Sequence, residues 1–202
     1  DITERKRAEQ QLTETLDLNQ KMIAASVMGI AAYRVSGECV FANEALARIV
    51  GGTLDAVSRS NFRLLTLWRE SGMLQLVDEA LDQGQARSKE ILGTTRFGKN
   101  IALDCHVAPF VSNGQPHLLV MVLDISERKR GESIKKVVYK ISQAANAVYN
   151  LKDLFNSIHA SLGELMPVSN FFIALYDPAR DELSFPYWRD DHDPCPLPDG
   201  RV

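Results

Sequence analysis

Hydrophobic residues follow two different spacings along the chain. Leu12, Leu16 and Ile23 fall on a seven-residue repeat among Glu, Gln, Thr and Asp residues, and Asn19 lies on the same seam. A second seam, at alternating spacings of three and four, is formed by Ile134, Val137, Ile141, Ala144 and Val148. A narrow apolar stripe of this kind is typical of a two-stranded coiled coil. It predicts two linker helices that pair with those of a second copy, although packing of each helix on its own domain would give the same stripe.

Between these helices the pattern changes to short apolar runs bounded by turn residues. Five runs predict strands, over residues 29–35, 38–41, 86–92, 100–111 and 117–124. The Asn113-Gly114 pair between the last two is a strong hairpin signal. Two helices, Glu44–Val50 (opened by Asn43) and Met73–Leu81, separate the second strand from the third. This order predicts an α+β fold, a five-stranded antiparallel sheet with helices on one face.

One heptapeptide occurs twice. Asp-Ile-Thr-Glu-Arg-Lys-Arg at residues 1–7 returns as Asp-Ile-Ser-Glu-Arg-Lys-Arg at residues 124–130, a shift of 123 positions. In each copy the Asp is expected to cap a helix, and the Glu three positions on completes a capping box. Each copy therefore predicts a helix that leaves a preceding domain, and residues 1–20 are interpreted as a helical linker at the end of an earlier one.

Residues 21–128 resemble the PAS (sensory box) family. The resemblance rests on Tyr33, on the strand and helix that run from Cys39 to Gly51, and on the exit motif Asp124–Lys129. It implies a small-molecule pocket between the sheet and the helices of residues 44–81. It also implies that a signal leaves the domain through the exit motif, at Asp124, Ile125 and Glu127. Residues 1–6 are similar to the same motif of another PAS domain.

The last part of the chain has a different pattern. After a linker over residues 129–149, a helix carries Leu154, Ile158, Leu162 and Leu165 on one face, and two strands follow at residues 170–176 and 182–188. Residues 150–202 resemble the opening of a GAF domain of the kind attached to bacterial sensor kinases and diguanylate cyclases. The resemblance implies a truncated GAF-like α/β segment.

The PAS resemblance implies a bound ligand or cofactor, for which the sequence offers several candidate residues. Apolar candidates for the pocket lining are Trp68, Leu76, Leu103, Cys105 and Met121, although a filled core would look the same in sequence. None of the four histidines lies between residues 44 and 81, where haem-binding PAS domains supply a ligand. Phe62 stands where flavin photoreceptors carry their reactive thiol, so no photochemical adduct is expected there, while a redox-active flavin stays open. The cofactor is unknown.

Signals for catalysis and metal binding are weak. His159 is followed by Ala160 rather than the acidic residue of a phospho-accepting histidine box. Cys105 and His106 are neighbours in a predicted strand, so they point to opposite faces and do not share a metal ion. His192 and Cys195 lie three apart in an acidic tail, which is read as an adventitious metal site or as a solvated loop. We therefore expect a chain that is not itself an enzyme and has no functional metal site.

The composition bears on possible partners and on the cellular location. The 23 Lys and Arg residues against 26 Asp and Glu residues give a net charge of −3, which does not favour nucleic acid as a partner. No apolar run approaches the about 20 residues of a membrane-spanning helix. Three separated cysteines indicate reduced thiols and a cytoplasmic location.

These features predict a non-catalytic regulatory region of a bacterial signalling protein. In this interpretation a homodimer binds a small molecule in the PAS pocket and relays its state through the helical linkers to an output domain. The parent protein would be a sensor histidine kinase or a diguanylate cyclase. The alternative is a ligand-free PAS scaffold that only dimerises and spaces its neighbours.

Overall fold

The computed structural model describes residues 2–147 and 150–190. Asp1, Val148 and the His192/Cys195 pair therefore lie outside the described residues, and the expectations for them are untested. The chain divides into two compact units, Asp1–Glu127 and Arg128–Val202, which are described separately.

Secondary structure follows the predicted order. The helices are α1 Ile2–Ala25, α2 Glu44–Val50, α3 Leu54–Ser58, α4 Thr66–Glu70, α5 Met73–Gln83, α6 Ser126–Ala147 and α7 Leu151–Gly163, with a 3-10 turn at Phe62–Leu64. The strands are β1 Gly29–Arg34, β2 Cys39–Ala42, β3 Arg87–Thr94, β4 Asn100–Ser112, β5 Gln115–Asp124, β6 Phe171–Asp177 and β7 Glu182–Arg189.

The first unit is built on a five-stranded antiparallel sheet. Its strand order is β2-β1-β5-β4-β3, so the first and last strands of the chain segment pair in the middle of the sheet. The β4–β5 hairpin closes at the Ser112–Gln115 pair, and its two turn residues, Asn113 and Gly114, have φ of 49° and 71°. Positive φ at both central positions is what a two-residue hairpin turn of type I′ requires. The structure confirms the α+β fold class.

Helices α2 to α5 pack on one face of this sheet. The alternation of β5 shows it, because Leu118, Val120 and Val122 are buried whereas Leu119 and Met121 are half-buried on the opposite face. Three aromatic side chains join the helices to the sheet. The ring centroid of Phe62 lies 5.4 Å from that of Tyr33 and 5.3 Å from that of Trp68.

The two predicted seams differ in burial. In α1, Leu12 and Leu16 are 61% and 53% exposed, and Ile23 is half-buried. In α6, Val137 is 3% exposed and Ile141 is half-buried, whereas Ile134 is 46% exposed. The α1 stripe is thus uncovered within one copy of the chain, while Val137 packs within its own copy.

The second unit holds most of α6, α7 and a two-stranded antiparallel sheet of β6 and β7. His159 links α7 to β7 and to the segment before β6, since Nδ1 lies 2.8 Å from the Tyr187 hydroxyl and Nε2 lies 2.9 Å from the Val168 carbonyl oxygen. Its ring stacks on Phe171 at 5.0 Å. Both nitrogens of His159 are therefore occupied by hydrogen bonds, which is a structural role.

Candidate ligand cavity and helix exit

A cavity of about 450 Å³ lies in the first unit between the sheet and the helical segment. Its volume is within the range of small-molecule sites. Most of its wall is apolar, with Leu103, Val120 and Val122 from the sheet and Val57 and Trp68 from the helical side.

The predicted lining residues fall into two groups. Trp68 and Leu103 line the cavity. Cys105 is 0% exposed but lies in the filled core, and Leu76 packs against that core. Met121 is on the other face of the sheet, because its neighbours Val120 and Val122 point inward. For Leu76, Cys105 and Met121 the structure therefore supports a packing role instead of cavity lining.

The polar groups of the inner wall are largely paired with one another. The Tyr33 hydroxyl interacts with Ser60, whose own hydroxyl donates to the Val57 carbonyl. Burial, with Cys39 nearby, raises the pKa of Tyr33 to about 12, so the phenol stays neutral. Thr95 Oγ1 donates to the Val50 carbonyl at 2.8 Å.

Two arginines line the cavity at exposed positions. Arg59, which follows α3, forms an ion pair with Asp55 at 2.8 Å. Arg96, in the β3–β4 turn, reaches across to donate a hydrogen bond to the Ala56 carbonyl of α3, and its guanidinium carbon lies 4.7 Å from the centre of the Phe97 ring. Sequence reasoning overlooked both, because nothing in their local pattern distinguishes them from solvated charges.

The exit motif anchors the start of α6 to the sheet. The Ile125 amide donates to the Ala102 carbonyl at 2.8 Å, and the Ser126 hydroxyl accepts from the Ala102 amide at 3.0 Å. Ile125 is buried. The chain therefore enters α6 through a buried side chain and two hydrogen bonds to β4.

The cap at the start of α6 differs from the predicted capping box. Asp124 is the last residue of β5, and its carboxylate accepts from the Ser126 amide, two residues on, at 2.9 Å. Glu127 is exposed. Pairing of Asp124 in the sheet places its side chain against the first amide of the helix, so the second half of the box is not formed.

Lys99 joins this exit to the cavity wall. Its ammonium group donates to the Ile49 carbonyl, near the C-terminus of α2, at 2.8 Å, and lies 3.6 Å from the Asp124 carboxylate. Burial raises the pKa of Asp124, but the hydrogen bonds from Ser126 and the charge of Lys99 outweigh it and hold the pKa below its ordinary value. Since Leu46 and Val50 of α2 line the cavity, one helix contacts both the cavity and the exit.

Asn43 makes the corresponding connection at the N-terminus of α2. Its side-chain oxygen accepts from the Leu46 and Ile30 amides, at 3.0 and 2.9 Å. Its amide group donates to the carbonyls of Ile23, in α1, and Met28. All four bonds are made by one buried side chain, so α1, β1 and α2 meet there.

Other chemistry is sparse in the part of the chain that the structure describes. There, no three His, Cys, Asp or Glu side chains come together as a metal site would need. Burial raises the pKa of the Cys105 thiol to about 12, with Asp104 adding to the effect, so Cys105 is not a reactive thiolate. Of the helices within residues 2–147 and 150–190, none is both long and apolar enough to cross a membrane.

No protein-family model matches the chain, and no curated protein is significantly similar to it in sequence. Solved structures do match. The PAS domain of an HTR-like protein from Haloarcula marismortui is 21% identical, with a TM-score of 0.50 over 59% of this chain and 99% of that one. A domain of a sensory box sensor histidine kinase/response regulator from Geobacter sulfurreducens is 18% identical, with a TM-score of 0.47 over 56% of this chain and 96% of that one.

We assign the fold from the similarity to the Haloarcula structure. The chain contains a PAS-like fold, a five-stranded antiparallel sheet with its helices on one face.

Proposed function

We propose that the first unit is a sensory PAS module of a bacterial signalling protein. A small molecule binds in the cavity beside Trp68 and Leu103, and its presence is transmitted through α2 and Lys99 to Asp124 and α6. The observation that carries this proposal is the shared role of α2, which lines the cavity and contacts the exit. A ligand shifts the module only if it binds two arrangements of α2 with different affinity.

The rest of the chain fits the same role. We propose that the seams of α1 and α6 pair in a homodimer, that residues 150–202 are the beginning of a GAF domain, and that the region is cytoplasmic and non-catalytic. The output domain is proposed to be a histidine kinase or a diguanylate cyclase. The exposed Leu12 and Leu16 support the dimer, since an apolar stripe on a solvated helix is normally covered by a partner.

The exposed stripe also favours the second candidate function, a ligand-free scaffold that dimerises and spaces its neighbours. The two functions differ in whether anything enters the cavity. Neither requires catalysis by this chain.

The test is native mass spectrometry of freshly purified protein, with a near-ultraviolet and visible absorbance spectrum of the same sample. A sensor is expected to show a stoichiometric extra mass or a chromophore band. Leu103→Phe, which fills the cavity, should remove it, whereas Leu92→Phe, at an exposed position of β3, should not. Clean apoprotein that also binds nothing from a metabolite library would contradict the sensor and favour the scaffold.

A further inference from the structure

The donors that the cavity offers to a ligand are concentrated on two guanidinium groups. Arg59 and Arg96 line the cavity, and among the described residues no Asp or Glu side chain lines it. Asp55 pairs with Arg59 at 2.8 Å and balances its charge. Within residues 2–147 and 150–190 no carboxylate pairs with Arg96, which donates instead to the uncharged Ala56 carbonyl. The uncompensated positive charge of this cavity is therefore that of Arg96.

The remaining polar side chains have few hydrogen-bonding groups to spare. Asn61 donates to the Ser36 carbonyl and accepts from the Arg63 amide. Ser60 and Thr95 donate to the main-chain carbonyls of Val57 and Val50. A ligand rich in polar groups would thus lose its bonds to water at this wall without full replacement, which is costly.

Arg96 is placed to receive a head group. A guanidinium has five N–H donors, and Ala56 takes one of them, so others are open to a ligand. Its position in the β3–β4 turn is exposed, whereas Trp68 and Leu103 are buried. The charged group therefore lies where the cavity meets solvent, and the apolar wall lies deeper.

We propose that the ligand of this cavity is an apolar carboxylic acid, with its carboxylate on Arg96 and its hydrocarbon or aryl body against Trp68, Val57 and Leu103. A planar guanidinium matches a carboxylate with two parallel hydrogen bonds, which a point charge cannot do. The inference rests on the proposed ligand-binding function and narrows it to one class of molecule.

The test is isothermal titration calorimetry of the whole chain with octanoate, octanol and octylammonium, which share one body and differ in the head group. Octanoate is expected to bind once per chain and at least about 10-fold more tightly than octanol. Acetate, which has the head group without the body, should not bind measurably. High salt should weaken octanoate binding and leave octanol unchanged.

Substitutions of Arg96 test whether this residue binds the carboxylate. Arg96→Gln is expected to weaken octanoate binding by about 10-fold or more without affecting octanol. Arg96→Lys should retain more of the octanoate affinity than Arg96→Gln does. The matched control is Arg69→Gln, an exposed arginine of α4 outside the cavity lining, which should change neither. A thermal melt verifies that each variant is folded.

Three outcomes would overturn the inference. If octanol or octylammonium binds as tightly as octanoate and Leu103→Phe abolishes it, the acid class is wrong while the ligand-binding function stands. If Arg96→Gln and Arg69→Gln weaken octanoate equally, Arg96 is not the head-group site. If none of the three probes binds, the acid class is wrong, and the proposed function fails with it only when the protein also carries no extra mass and binds nothing from the metabolite library.

Discussion

The Lys99 ammonium group lies 2.8 Å from the Ile49 carbonyl of α2 and 3.6 Å from the carboxylate of Asp124, the last residue of β5 before α6. A cation at a helix C-terminus is favourable because the carbonyls there carry a partial negative charge. The carboxylate in turn accepts from the Ser126 amide at 2.9 Å. The end of α2 and the beginning of α6 are thus joined by one side chain.

Replacing Lys99 with Met should loosen this junction without unfolding the domain. The lost interactions are partly exposed, so the free energy of unfolding should fall by only about 1 kcal/mol. Hydrogen exchange of the Ser126 amide is expected to become faster, because the position of Asp124 is less constrained. Lys21→Met is the control, since it removes an exposed ion pair with Asp17 in α1. Equal exchange at Ser126 in both variants would show that Lys99 does not hold the exit.

The charge of Asp124 should stabilise the fold in a pH-dependent way. The pKa of this carboxyl is below its ordinary value in the folded protein, so its stabilisation is complete above that ordinary value and is lost as the pH falls through the folded pKa. Asp124→Asn retains an oxygen that accepts from Ser126 but removes the charge. We expect urea unfolding at pH 7 to show a deficit of up to about 1 kcal/mol.

The same deficit should persist at pH 5 and shrink below about pH 3.9, the ordinary range of an aspartate. A deficit that is equally large at pH 7 and at pH 2.5 would mean that the substitution acts through packing rather than charge. A deficit that instead grows on acidification would contradict the depressed pKa.

Gly29 should not tolerate a methyl group. A Cβ there would lie 2.6 Å from Cγ2 of Val122 and 2.9 Å from the Leu46 Cα, and the second contact is with main chain of α2. Gly29→Ala is therefore expected to destabilise the first unit by about 1–3 kcal/mol in thermal or urea unfolding.

Gly131 provides a control of the opposite sign. It lies inside α6, and a Cβ there meets open space. Gly131→Ala should stabilise the helix by about 0.5–1 kcal/mol, because alanine loses less backbone entropy on folding. Equal effects of the two substitutions would be inconsistent with the close approach of β1 and α2.

A charge on the exposed seam of α1 should disrupt the proposed dimer. Leu16→Glu adds a carboxylate to an apolar stripe, and it should convert the chain to a monomer by light scattering at micromolar concentration. The first unit should keep its melting temperature, since Leu16 is exposed within one copy. Gln11→Glu adds the same charge away from the seam and should leave the dimer intact. Dimers of unchanged affinity in Leu16→Glu would refute pairing through α1.

The sequence contains enough local information for the elements but not for the cavity. The Asn43 cap, the Asn113-Gly114 turn and the apolar runs predict α2 and the five strands because each signal acts over a few residues. Three of the five predicted lining residues, Leu76, Cys105 and Met121, lie outside the cavity wall, and the reason is geometric. Alternation along a strand gives the inward face, which Cys105 shares with Leu103, but not where that face is covered by core and where it borders a cavity.

Polar contacts between residues far apart in the chain could not be predicted from the sequence either. The Lys99 contact with Ile49 spans 50 positions, and the Arg96 contact with Ala56 spans 40. Nothing in the turn that contains Arg96 and Lys99 marks either residue, since a surface lysine or arginine is ordinary there. Their partners are set by how the β3–β4 turn meets α2 and α3 in the folded domain.

Asn43 and Lys99 hold opposite ends of the same short helix, with α1 on one side and α6 on the other. The incoming and outgoing helices are therefore both connected to the seven residues of α2 by hydrogen bonds or ion pairs of these two side chains. In the proposed sensory module, a displacement of α1 and one that starts at the cavity would act on the same element, and we expect α6 to receive their sum. Such a module would add the input of its ligand to a displacement of α1 instead of replacing it, so its response to the ligand would depend on the position of α1.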